Sequence, residues 1–152
     1  MQILQIFLGG ILLLNLGCSQ KYISHENYLI TIKTNRLKYS DIGIISRSEN
    51  GVKVEIFSVG NQILELELDS FVSVNGETPI PYSIFNSKFL SKKYPEQIIK
   101  NIFSGKEIFG GKNRQNIYDG FQQKIENINY RVTKKEIRFK DKNILIKIKN
   151  LK

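Results

Sequence analysis

Residues 52–68 read VKVEIFSVGNQILELEL. Val52, Val54 and Ile56 alternate with Lys53 and Glu55, and Leu64, Leu66 and Leu68 alternate with Glu65 and Glu67. A period of two is that of a strand with one face buried. Ser58-Val59-Gly60-Asn61 between the two runs reads as a tight turn. Strands joined so closely must be antiparallel, because a parallel crossover needs about a dozen residues or more.

The same pattern extends in both directions. Upstream, Tyr28–Lys33 places Tyr28, Ile30 and Ile32 on one face, Leu37–Ile45 is a less regular strand, and Ser48-Glu49-Asn50-Gly51 carries an Asn-Gly hairpin signal. Downstream, Phe71–Val74 precedes a second Asn-Gly turn at Asn75-Gly76. The middle changes character, for Pro79, Pro81 and Pro95 are the only prolines. Pro95 suits the first turn of a helix and Gly105 its end, with Ile98, Ile99, Ile102 and Phe103 on one face. Strands then return at Glu107–Phe109, Gln115–Tyr118, Phe121–Arg131 (imperfectly alternating, as if bulged), Lys135–Lys140 and Ile144–Lys149. The expected class is mainly β with one or two helices. Eight to eleven antiparallel strands tend to curl, which predicts an incomplete barrel with a helical lid.

The N-terminus has a different logic. Ile3 to Gly17 reads ILQIFLGGILLLNLG, with no charged residue. It is short for a membrane-spanning helix but has the length of a signal-peptide core, about 7–15 residues. Gly17 then precedes Cys18, the only cysteine, and the composition turns polar at once. A small residue before cysteine at the end of such a run resembles the lipobox of bacterial lipoproteins. That resemblance implies cleavage before Cys18 and attachment of lipid to its thiol. The organisation expected is a signal peptide over 1–17, a lipidated cysteine and tether over 18–27, and one half-barrel domain over 28–152. Ser19 is permissive for the outer membrane under the family's sorting rule, so the expected location is the cell envelope, anchored at the outer membrane and facing the periplasm, with the inner membrane and the cell surface as alternatives. A lone cysteine also excludes an internal disulfide.

Removing 17 of 152 residues leaves 135, enough for one domain with a core. The formal charge is +9, with no charged residue in 1–17. Export makes nucleic acid an unexpected partner, leaving phospholipid head groups, lipopolysaccharide or acidic proteins. The competing reading is a lysine-rich composition with charge spread evenly along the chain.

The strand–turn–strand of residues 56–68, the Tyr94-Pro95 helix within 87–105, and the closing strands 118–130 and 136–151 resemble the outer-membrane lipoprotein receptor LolB and a looser group of lipoproteins of the same build. The resemblance covers most of 37–151. It implies a half-barrel whose apolar inner face holds acyl chains, with acylated lipoproteins or a periplasmic lipid carrier as partners, and a monomer. The expected lining is Val54, Ile56, Leu64, Leu66, Leu68, Ile99, Ile102, Phe103, Ile146 and Ile148. For each alone, core packing is the simpler explanation. By position, the family's membrane-inserting loop residue corresponds to Val59, smaller than the usual Leu. The other expectation is a structural or accessory envelope lipoprotein that binds another protein without transferring lipid.

No catalytic pattern accompanies these features. His25, the only histidine, falls in the expected tether, so nucleophilic catalysis lacks a base. The acidic residues are scattered, and no metal or cofactor is expected. Gly110-Gly111-Lys112 lacks the spacing of a phosphate-binding loop and reads as a turn.

Overall fold

A computed structural model describes residues 22–152. The expected signal peptide over 1–17, Cys18 and the start of the expected tether lie outside the described residues.

Ten strands form one open antiparallel sheet. The first meander is β1 (Ser24–Lys33), β2 (Lys38–Arg47), β3 (Val52–Ser58), β4 (Asn61–Leu68) and β5 (Val72–Val74). Two helices follow, α1 (Tyr82–Phe89) and α2 (Ile98–Ser104). The second meander is β6 (Arg114–Ile117), β7 (Gly120–Ile125), β8 (Ile128–Thr133), β9 (Glu136–Asp141) and β10 (Ile144–Asn150). The first and last strands join the halves, giving the order β5-β4-β3-β2-β1-β10-β9-β8-β7-β6. Ile30 faces Ile148 and Ile32 faces Ile146 across that seam. The two edges are short, three residues in β5 and four in β6, which limits pairing with other chains.

Contacts of α2 reveal the curl. It packs against both β3 and β9, which are separated in the sheet by β2, β1 and β10. Four strand spacings span about 19 Å on a flat sheet, whereas a helix is about 10 Å across. The sheet therefore wraps around the helix. Ile98, Ile99, Ile102 and Phe103 fill the concave side together with Tyr82 and Phe85 of α1. Gly105, in the left-handed conformation (φ 66°), ends α2 where the sequence placed its stop.

Buried polar groups hold the irregular chain between α2 and β6. The Gln123 amide donates to the carbonyls of Ile108 and Lys112 at 2.9 and 2.8 Å and accepts from Ile108 N–H at 2.9 Å. Tyr130 donates to the Lys106 carbonyl at 2.8 Å. These bonds explain why Glu107–Phe109 is no strand. Its central residue finds its partners in a side chain, and a 3₁₀ turn at Phe109–Gly111 follows.

Two further expectations change. The run 121–131 is two strands, joined by the two-residue turn Glu126-Asn127. Inward residues are 121, 123 and 125 before the turn and 128 and 130 after it, so the change of parity resembled a bulge. The first strand starts at Ser24, so residues 24–27 are sheet and not tether, paired with Ile44–Arg47 of β2. Residues 24–27 run past the end of β10, whose pairing begins at Tyr28, so their outward side chains are exposed and backbone pairing with β2 alone holds them. His25 consequently sits on a strand, its Nδ1 2.7 Å from Ser46 Oγ.

Candidate functional site

A sheet that buries one face must present the other, and strand register decides what meets there. Even-numbered residues of β9 and odd-numbered residues of β10 point outward. Pairing of β10 with β1 places Lys147 beside Thr31 and Leu145 beside Lys33. Following the register across the sheet gives two rows. One runs Lys38, Lys33, Leu145, Lys140, Asn129, Lys124. The next runs Ser40, Thr31, Lys147, Arg138, Arg131, Gln122, Gln115. Lys33 thus directly faces Lys38, and Arg138 lies between Lys147 and Arg131.

Directly opposed like charges in a sheet are destabilising, by a fraction of a kcal/mol to about 1 kcal/mol per pair. Glu136 relieves Lys147 at 3.2 Å. No carboxylate among the described residues pairs with Lys33, Lys38, Lys124, Arg131, Arg138 or Lys140. Two shallow clefts share Lys140. One, of about 720 Å³, runs along Arg131, Arg138 and Lys124, and the other, of about 450 Å³, along Lys33, Lys38 and Lys142.

The other half of this outer surface is acidic, and its directly opposed acids share a base. Glu55 faces Glu65 across β3–β4. Lys53 lies 3.1 Å from each carboxylate. Partial burial alone would lower the Lys53 pKa, but hydrogen bonds to Glu65 and Glu55 outweigh it and hold it above its usual value. Facing acids are bridged by a base, while the facing bases of the other half are left open. Between the halves, Leu29 and Ile42 are cross-strand partners, 38% and 53% exposed.

The ten expected lining residues lie on the concave side. Each of Val54, Ile56, Leu64, Leu66, Leu68, Ile99, Ile102, Phe103, Ile146 and Ile148 is at most 1% exposed and belongs to the core shared with the helices. None of them borders the clefts of the outer face or the cavity described next. That cavity, about 450 Å³, opens at the end of the half-barrel. Leu90, Tyr94, Phe109, Ile125, Ile128 and Ile144 line it, and Lys93, Lys112 and Lys142 also border it. Tyr94 donates to Asp141 there at 2.5 Å. Burial and that carboxylate hold the Tyr94 phenol well above the ordinary tyrosine range.

Val59 sits at the tip of the β3–β4 hairpin and is 97% exposed. Its φ of 49° and the 80° of Gly60 make a left-handed two-residue turn. A β-branched residue there is strained, where Asn would be comfortable. Sequence singled out Val59 and the core list, but it missed the basic rows. Lys33 and Lys38 are about a hundred residues from Lys140 and Lys147, and only the β1–β10 seam brings them together.

Among the described residues no group of histidine, cysteine and carboxylates is disposed to hold a metal, and no helix is long and apolar enough to cross a membrane. Compared with known proteins, the chain matches no family profile, no curated protein and no solved structure.

Proposed function

We propose that this chain is a lipid-anchored envelope protein that works as a binding domain. Cys18 holds it to a membrane, and the outer face of β8, β9, β10, β1 and β2 receives an anionic partner. The observation that carries this reading is the row Lys147–Arg138–Arg131, three cations on three adjacent strands with only one acid beside them. Strands lie about 4.8 Å apart, so this arrangement works against folding unless a counter-charge arrives. In this reading the concave side is packed core, and the protein is an accessory envelope lipoprotein without a chemical step of its own.

Acyl-chain binding of the LolB kind is the second reading. The end cavity favours it, for an apolar wall with lysines beside it suits an amphiphile. So does the exposed, strained Val59.

Two measurements test the proposal. Labelled palmitate should enter the full chain and fail to enter Cys18→Ser. The folded domain 22–152 should bind polyphosphate with an affinity that falls steeply with salt and is lost on reversing Arg131 and Arg138 to Glu. Polyphosphate binding that ignores both changes would remove the basic face from the function. Native mass spectrometry of the same domain separates the readings, because a co-purified acyl lipid displaced by Ile128→Lys would favour the second.

A further inference from the structure

We infer that the anionic partner is a bilayer surface, and that the domain lies on it with the outer face of its central strands downward. The inference rests on the proposed role of the basic face and goes beyond it by naming what the face meets. A soluble polyanion needs charge alone. A membrane surface rewards charge together with apolar groups that enter the head-group layer. Both are present on this one face. Leu29 and Ile42 form an exposed apolar pair on β1 and β2, and the next rows along the same strands carry Lys147, Arg138, Lys33 and Lys140.

The anchor sets the distance. Five residues lie between Cys18 and Ser24, where β1 begins, and the six Cα–Cα steps of an extended chain reach at most about 20 Å. From Ser24 to Lys33 the strand runs about 30 Å further. Upright on its tether, the domain would hold its basic rows well beyond the roughly 8 Å over which charge is felt at physiological salt. Lying on the outer face of the central strands brings the tether end, the Leu29–Ile42 pair and the central members of both basic rows, Lys33, Lys147, Arg138 and Lys140, toward the bilayer. The helices, α1 and α2, and the end cavity then remain free.

Paired sheet runs from Ser24 to Asn150, and the core lies between Ile30 and Ile148, so residues 22–152 form a folded unit. That domain would be sedimented with vesicles of phosphatidylcholine alone and with about one-third phosphatidylglycerol. Binding is expected only to the anionic vesicles, with release as salt rises. Each cation near such a surface contributes about fivefold to binding, so K33Q/R138Q/K140Q together should weaken it about 100-fold. K88Q/K92Q/K106Q removes the same charge from the helix side and should change binding only slightly. L29S/I42S should weaken vesicle binding and leave polyphosphate binding intact. Binding to polyphosphate without binding to anionic vesicles would overturn this inference and leave the basic face standing. So would vesicle binding indifferent to L29S/I42S, or equally weakened by both triple variants. Failure to bind either anion would remove the basic face as well.

Discussion

Replacing Arg138 by Glu should make this domain more stable while weakening its anion binding about 25-fold. Arg138 directly faces Lys147 on β10 and Arg131 on β8, so one substitution turns two repulsive cross-strand pairs into two attractive ones. Each term is a few tenths of a kcal/mol at an exposed position. Glu136, two residues away on the same face, offsets a few tenths of that. The net expectation is about 1–2 kcal/mol at low salt, or a Tm rise of roughly 3–8 °C for a domain of this size. Arg138→Gln, which removes repulsion without adding attraction, should give about half. Thermal melts of the domain followed by circular dichroism at low and high salt measure both, and the gain should shrink as salt screens it. A Tm unchanged or lowered at low salt would refute the reasoning, because the row would then carry no electrostatic strain. A stability gain that coincides with weakened vesicle binding would identify these charges as kept for a partner and not for the fold.

Three further outcomes are expected. Leu66→Ala in the ligand-free domain should cost about 2–5 kcal/mol in denaturant unfolding, since Leu66 is 1% exposed within the core; a cost below about 1 kcal/mol would mean that the side chain faces unfilled space. Val59→Asn should stabilise the domain by about 0.5–1 kcal/mol by relieving the left-handed turn, and an unchanged midpoint would show that the turn carries no strain. Burial raises the Tyr82 and Tyr130 phenols above their ordinary 10.0, and burial with Asp141 does the same for Tyr94. The folded state therefore resists losing these protons while the unfolded chain gives them up. The stability these tyrosines contribute should be constant below about pH 10 and fall as pH rises beyond it, with a shallower alkaline fall in Tyr130→Phe; an alkaline slope identical to that of the parent would exclude Tyr130 as a source.

The strands of the first meander were legible because each obeys a local rule. Lys53 and Glu55 alternate with Val54 and Ile56 for the same reason that Lys147 and Lys149 alternate with Ile146 and Ile148: one face is dry and one wet. Helix α2 was legible from its apolar spacing and Gly105. The turn Glu126-Asn127 was not, because Glu126 at φ 51° carries none of the usual glycine signal. The polar start of β1 was not, because backbone pairing has no side-chain signature.

The sequence by itself determined which side of the regularly alternating strands is buried, that the strands run antiparallel, and that a helix must cover them. Hydrophobic alternation and turn length act over a few residues, so they can be read one segment at a time. Only the tertiary structure decided that the outer face is polarised. That depends on which strand lies beside which, and the pairing of β1 with β10 joins the two ends of the described chain. Charges that look evenly spread along the chain are, for that reason, gathered on one half of a surface.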